Sequence, residues 1–140
     1  MRVLGLDIGD KRIGVAMSDP DEILASPLAT IMRDSDDKAV ATILDIIEKH
    51  RVQKIVVGLP YSMDGNLGAQ ANKVMTFVAM LSEHTDVNIE TRDERLSTVA
   101  VERLLAAAGT RGKTARLRTD AAAAAFVLQG YLDSLKTSAQ

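Results

Sequence analysis

The chain has 140 residues, a hydrophobic fraction of 46%, no cysteine and a formal net charge of −2. The length fits one domain with a sizeable core, and the lack of cysteine excludes a disulfide framework and a cysteine-based zinc site. Polar residues interrupt the apolar N-terminus, which argues against a signal peptide, and no apolar run approaches the roughly 20 residues of a membrane span. A net charge near zero does not by itself indicate binding to nucleic acid. Nucleic-acid binding therefore has to be judged from local patches of basic residues.

The first half of the chain predicts an antiparallel meander and then a helix. Residues 2–9 and 12–18 form two predicted strands around the turn Gly9-Asp10-Lys11, and residues 27–31 form a third. Beyond residue 36 the apolar residues adopt the i, i+3, i+4, i+7 spacing of an amphipathic helix: Val40, Ile43, Leu44 and Ile47.

The second half alternates strands and helices. Short strands are predicted at residues 54–58 and 87–91, and apolar residues at helical spacing within 74–81, 101–108 and 128–135 predict three more helices. We expect the last helix to begin at Asp120, after a loop over residues 109–119, and Phe126 to pack within it. This order predicts the α/β class: a mixed five-stranded sheet, an antiparallel meander followed by parallel strands, with helices on its faces.

Asp7 is the residue that this arrangement explains least. It lies in an apolar strand, where aspartate is depleted and where a buried carboxylate without a partner is costly. It shares one face of its strand with Gly5, while Gly14 and Ala16 share a face of the next strand. These small residues either leave room for a bulky ligand or accept the close packing of a helix.

Acidic residues recur at the carboxyl ends of the strands predicted to be parallel. Asp7 lies near one such end, Asp93 and Glu94 follow another, and the loop before Asp120 is long enough to return it to the same edge. Open α/β sheets bind ligands at that edge. Carboxylates placed so close repel one another unless a proton or a cation lies between them, and oxygen donors of this kind suit Mg²⁺ or Mn²⁺. Such ions promote phosphodiester cleavage.

Each of these acids also has a structural interpretation. Asp120 fits a helix N-cap, and Asp93 or Glu94 fits a loop carboxylate that pairs with a neighbouring arginine. Asp7 has neither interpretation, because a strand interior offers it no turn and no cap.

Basic residues are concentrated in two places. Lys11 and Arg12 lie beside the first turn, and a second group comprises Arg111, Lys113, Arg116 and Arg118. Alone, the second group would indicate a solvated loop; beside a carboxylate cluster it favours a clamp for a polyanionic backbone. Aromatic residues are too few for extensive base stacking, and Tyr61 is the one placed to touch a base.

With these features in place, the whole chain resembles the YqgF (RuvX) family. The matching stretches are GLDIGDKRIGVAMSD at 5–19, VVGLPYSMDGNLG at 56–68, DERLST at 93–98 and DAAAAAFVLQGYL at 120–132. The resemblance implies a ribonuclease H-like fold related to the RuvC Holliday junction resolvases, and a bacterial cytoplasmic protein. It also implies either resolution of Holliday junctions or maturation of the 5′ end of the precursor of 16S ribosomal RNA.

The family's acidic positions fall on Asp7, on the Asp93-Glu94 pair and on Asp120, and similarity to the resolvases favours Glu94 within the pair. We therefore expect residues 1–140 to form a divalent-metal-dependent endonuclease in which Asp7, Glu94 and Asp120 hold Mg²⁺ or Mn²⁺. Phosphate near the site would be neutralised by Lys11, Arg12 and Arg95, and residues 111–118 would clamp the strand. The expected partner is structured RNA, first ribosomal RNA precursor, or else branched DNA, bound by a monomer or a homodimer.

Two functions of other classes remain open. A non-catalytic RNA-binding factor for ribosome assembly would keep the basic segment and need no metal. The stretch DIGDKRIGVA also resembles the first phosphate loop of the actin and sugar-kinase ATPases. Those ATPases need two such domains around the nucleotide, and the chain carries no GxxxxGK[ST] loop.

Overall fold

A computed structural model describes residues 1–59, 68–93 and 112–138, with the side chains of the last segment described from 120 to 135. The strands are β1 (Arg2–Ile8), β2 (Arg12–Ser18), β3 (Ala25–Met32), β4 (Val52–Leu59) and β5 (Asn88–Asp93). The helices are α1 (Asp36–His50), α2 (Ala69–Ser82) and α3 (Gly112–Ser138). The helix predicted over residues 101–108 lies outside the described residues. None of the described helices is long and apolar enough to cross a membrane.

The five strands form one mixed sheet in the order β3-β2-β1-β4-β5. The β1–β2 and β2–β3 pairs are antiparallel, whereas β1–β4 and β4–β5 are parallel. This confirms the predicted meander followed by parallel strands. The carboxyl ends of β1, β4 and β5 therefore lie along one edge of the sheet, which we call the carboxyl edge.

Strand alternation divides the apolar residues between two cores. Leu4, Leu6 and Ile8 of β1 contribute to the larger core, together with buried residues of α1 and α2. The intervening residue Val3 contributes to a smaller core, which α3 completes on the other face with Ala124, Val127, Leu128 and Leu132. The sheet thus has α1 and α2 on one face and α3 on the other.

Helix α3 begins earlier than the sequence predicts. It starts at Gly112, so Asp120 lies in its third turn, and the expected loop over residues 109–119 is wrong from residue 112 onward. The physical reason is that residues 113–118 are rich in lysine, alanine, arginine and leucine, which favour the helix, and contain neither glycine nor proline. The expectation for Phe126 is also wrong, because its side chain is 45% exposed on the outer side of α3.

The small-residue faces of β1 and β2 are covered by α3. A Cβ atom added to Gly5 would lie 2.8 Å from the Cβ of Leu128, and one added to Gly14 would overlap the main-chain carbonyl of Asp120. Of the two interpretations of these small residues, close packing of a helix is therefore the correct one. The buried alanines Ala123 and Ala124 allow α3 to approach the sheet this closely.

Candidate functional site

Asp7 lies on the α3 face of the sheet, near the carboxyl edge. Its neighbours Leu6 and Ile8 contribute to the core beneath α1 and α2, so alternation places Asp7 on the opposite face. Asp7 is paired with Gly14 across the β1–β2 hairpin, and Gly14 packs against the main chain of Asp120. The fold therefore brings the main chains of Asp7 and Asp120, 113 positions apart in the sequence, next to the same glycine, Asp7 within the sheet and Asp120 above it.

Asp120 forms an ion pair with Arg12. The Nε atom of Arg12 donates to Oδ2 of Asp120 at 2.6 Å, and the two side chains are 29% and 23% exposed. This bond links the start of β2 to the third turn of α3 and balances the charge of the carboxylate. Arg12, which the sequence predicts to neutralise phosphate, is engaged by a candidate metal ligand in this structure.

The geometry of β5 separates Asp93 from the other two acids. Asp93 is aligned with Leu59 in the parallel β4–β5 pair, and Leu59 belongs to the core on the side of α1 and α2. Asp93 therefore lies on the face of the sheet opposite to Asp7. This disfavours Asp93 as a ligand shared with Asp7, and Glu94 lies outside the described residues.

Two of the predicted ligands, Asp7 and Asp120, thus both lie next to Gly14 through their main chains, while the third is not described. Within residues 1–59, 68–93 and 120–135, no group of three or more acidic or histidine side chains is arranged to hold a metal ion. Mg²⁺ is commonly bound by only one or two carboxylates together with water and substrate phosphate. The donor chemistry of Asp7 and Asp120 therefore fits Mg²⁺ or Mn²⁺.

Arg33 fixes the turn that carries Lys11, and the sequence analysis missed it. Its main-chain N–H donates to the carbonyl of Lys11 at 2.9 Å, and its Nη1 atom donates to the carbonyl of Gly9 at 2.8 Å. Its Nε atom donates to Oδ1 of Asp36 at 2.7 Å, and the guanidinium lies 4.9 Å from the ring centroid of Phe77. A single arginine at the end of a strand has no sequence pattern that would indicate this role.

The other predicted nucleic-acid contacts are only partly described. Lys11 is exposed in the turn between β1 and β2. Lys113, Arg116 and Arg118 lie in the first turns of α3, so the predicted clamp is helical rather than a flexible loop over residues 112–118. Tyr61, Arg95 and Arg111 lie outside the described residues.

A second polar cluster, also absent from the sequence analysis, joins the sheet to the later turns of α3. The Nζ atom of Lys54 lies 3.2 Å from Oε1 of Glu90 and 4.8 Å from the ring centroid of Tyr131. The interaction with Tyr131, followed by that with Glu90, raises the pKa of Lys54 against the opposing effect of burial. The cluster connects α3 to β4 and β5. It lies in a part of the sheet away from Asp7.

Comparison with known proteins identifies close relatives over nearly the whole chain. A family model described as "RuvX: Holliday junction resolvase" matches residues 1–134. A protein of Desulforamulus reducens named "Putative pre-16S rRNA nuclease" is 47% identical over 135 residues, which cover 96% of this chain and 98% of that protein. A protein of the same name from Roseiflexus sp. is 45% identical, covering 95% of this chain and 94% of the relative.

Solved structures with the same fold include two resolvases. The structure of T. thermophilus RuvC in complex with a Holliday junction substrate has a TM-score of 0.64 at 16% identity, covering 97% of this chain and 96% of RuvC. The fowlpox virus Holliday junction resolvase has a TM-score of 0.60 at 13% identity, covering 96% of this chain and 99% of the resolvase. These likenesses confirm the predicted ribonuclease H-like fold.

Proposed function

Because the chain belongs to the RuvX family, whose model is described as Holliday junction resolvase, we propose that it is a divalent-metal-dependent endonuclease. The observation that carries the proposal is the convergence of Asp7 of β1 and Asp120 of α3 on Gly14, near the carboxyl edge. One or two carboxylates, completed by water and substrate phosphate, are the usual protein ligands of Mg²⁺. We propose Glu94 as the third ligand, since alternation puts Asp93 on the other face.

The bound metal would activate a water molecule for in-line attack on a phosphodiester and stabilise the leaving oxygen. Asp7 and Asp120 would hold the ion, each from a rigid element of the fold. Arg12 orients the carboxylate of Asp120 through its 2.6 Å bond. Arg33 holds the turn through the carbonyls of Gly9 and Lys11, and we propose that the exposed Lys11 of this turn contacts the substrate phosphate.

The relatives' names favour the precursor of 16S ribosomal RNA as the substrate, and the family resemblance points to its 5′ end. The description of the family model favours a second candidate, a branched DNA such as a Holliday junction. We propose that residues 1–140 form one nuclease domain that acts in the bacterial cytoplasm. Symmetric resolution of a four-way junction requires two active sites and hence a homodimer, whereas trimming of RNA requires only a monomer.

A cleavage assay with matched carboxylate variants tests the proposal. The parent, Asp7→Asn, Asp120→Asn and the control Asp10→Asn are compared on precursor RNA and on a four-way DNA junction, with Mg²⁺ or Mn²⁺. Asp10 is a suitable control because it lies in the adjacent turn and its 3.7 Å pair with Lys73 is largely exposed. We expect Asp7→Asn to lose cleavage by about 100-fold or more, because it removes a metal-ligating charge, and Asp10→Asn to behave as the parent.

Calorimetric titration with Mn²⁺ separates the nuclease from the rival function. The parent should bind the ion, and Asp7→Asn should bind it more weakly. If Asp7→Asn folds and cuts as well as the parent, the proposed metal site is wrong. RNA binding by a parent that neither cuts nor binds Mn²⁺ would identify a non-catalytic ribosome-assembly factor instead.

A further inference from the structure

A second concave surface lies at the opposite edge of the sheet, where β1 and β4 begin and α1 ends. This cavity of about 500 Å³ is lined by Met1, Arg2, Pro20, Lys49, His50, Arg51 and Gln53. Three of its lining side chains carry a permanent positive charge and none is acidic, although the whole chain has a net charge of −2. We call it the far-edge pocket.

The three permanent charges of the far-edge pocket have no acidic partner in the described part of the chain. Elsewhere among the described residues, four basic side chains form ion pairs: Arg12, Arg33, Lys54 and Lys73. Arg2, Lys49 and Arg51 form no ion pair with any residue in the described part of the chain. Three like charges at one concavity repel one another, and an anionic ligand would relieve that repulsion.

The end of α1 gives a simpler explanation for part of this cluster. Basic residues in the last turn of a helix interact favourably with its dipole, and this accounts for Lys49 and His50. It does not account for Arg2, which comes from β1. The main-chain N–H of Arg51 already caps the carbonyls of Ile47 and Glu48, so the Arg51 guanidinium is not needed there.

We propose that the far-edge pocket binds backbone phosphate of the nucleic acid that the carboxyl edge acts on, as a second contact with the same substrate. The inference rests on the proposed function for the choice of ligand. The lining residues include no Phe, Tyr or Trp for base stacking, so the pocket would recognise backbone charge rather than bases. Arg2 and Asp7 are five residue steps apart along β1, or about 17 Å, so a nucleic acid that contacts both ends of the sheet must follow the protein surface over at least that distance.

The affinity for RNA, measured as a function of salt concentration, tests the far-edge pocket independently of cleavage. Fluorescence anisotropy is recorded with single-stranded RNAs of about 4 and about 20 nucleotides between about 50 and 200 mM salt, in the absence of divalent metal. The proteins are the parent, Lys49→Gln, the triple variant Arg2→Gln/Lys49→Gln/Arg51→Gln and the control Lys38→Gln. Lys38 is a matched control, because it is an exposed lysine of the same helix and does not line the pocket.

For the longer RNA, we expect the slope of log K against log salt to become shallower by about 0.7 in Lys49→Gln and about 2 in the triple variant. Lys38→Gln should keep the slope of the parent, and the short RNA should not distinguish the four proteins. Thermal melting checks that each variant folds. If the triple variant does not fold, the salt dependence of Lys49→Gln alone tests whether the far-edge pocket binds RNA.

The possible failures are distinguishable. If the parent binds the longer RNA and Lys49→Gln and the triple variant both match Lys38→Gln, the far-edge pocket is not a nucleic-acid contact and the proposed function stands. If both variants lose affinity for the short RNA to the same extent as for the long one, the pocket is not a second contact. A parent that binds neither RNA nor a four-way DNA junction overturns the proposed function and this inference together.

Discussion

The substitution Gly14→Ala tests the packing that brings Asp120 to Asp7. The added methyl group would occupy the position of the Asp120 carbonyl, which is helix main chain and cannot turn aside as a flexible side chain can. Overpacking of a tight interface costs about 1–3 kcal/mol, and we expect the upper part of that range here. Alanine also lowers the conformational entropy of the unfolded chain, which offsets about 0.4–1 kcal/mol of this loss. The net decrease in the free energy of unfolding is therefore about 2 kcal/mol.

Substitutions of two other glycines by alanine provide reference values for the destabilisation expected of Gly14→Ala. Gly5→Ala would place its Cβ 2.8 Å from the Leu128 Cβ and 3.0 Å from the Ala124 carbonyl, so we expect a smaller but clear loss. Gly68, the N-cap of α2, has an ordinary φ of −97°, and no atom lies within 4 Å of the point that an added Cβ would occupy. Alanine is a poorer N-cap than glycine, but it also lowers the entropy of the unfolded chain, so Gly68→Ala should change the free energy of unfolding by only about 0.5 kcal/mol.

Urea denaturation of the three variants measures these free energies directly. The expected order of destabilisation is Gly14→Ala, then Gly5→Ala, then Gly68→Ala. A loss of about 2 kcal/mol corresponds to a fall in melting temperature of about 6–10 °C for a domain of this size. Equal stability of Gly14→Ala and Gly68→Ala would refute the close approach of α3 to β2, and with it the placement of Asp120 beside Asp7.

Three further predictions concern polar contacts. Arg33→Met should lower the free energy of unfolding by about 1–3 kcal/mol, because the carbonyl of Gly9 loses its charged donor, and Arg33→Lys should recover part of it; urea denaturation measures both. A double-mutant cycle with Arg12→Gln and Asp120→Asn should give a coupling of about 1 kcal/mol, whereas additive losses would contradict the bond. The raised pKa of Lys54 means that its contacts stabilise the protein at neutral pH and that this contribution is lost as pH rises through the folded-state pKa. The difference in unfolding free energy between the parent and Lys54→Met should therefore be constant from about pH 7 to 9 and decrease above about pH 10.4. A difference that stays independent of pH up to about 11.5 would contradict the raised pKa of Lys54.

Much of the sheet could be predicted from the sequence, because alternation and strand order are local patterns with few solutions. The meander, the parallel strands and the location of Asp7 near their carboxyl edge follow from that pattern. The choice between Asp93 and Glu94 could not be predicted from the sequence. A strand that is covered on both faces has no alternation of polar and apolar residues, so its sequence does not show which side chains lie on which face. The pairing of Asp93 with Leu59 in the structure assigns Asp93 to the face of α1 and α2.

The interactions that the sequence did not predict are those made between distant segments. Asp120 fits an N-cap locally, yet it lies in the third turn of α3 and contacts Arg12 and Gly14. Arg33 and Lys54 are ordinary basic residues until the fold brings Gly9 and Tyr131 beside them. Charge patterning along the chain could not reveal the far-edge pocket either, because its cations come from β1 and from the end of α1.

The packing of α3 on the first two strands has a consequence for the order in which the protein matures on the ribosome. The face of the sheet that includes Val3, Ala16 and Val56 stays uncovered until residues 124–132 of the nascent chain are available to pack on it. Residues 1–59 and 68–82 already contain most of the other core, which belongs to α1 and α2. Since synthesis proceeds from the N-terminus, the Asp7–Asp120 pair is assembled among the last contacts. A nascent chain that ends before Asp120 therefore lacks one of the proposed metal ligands.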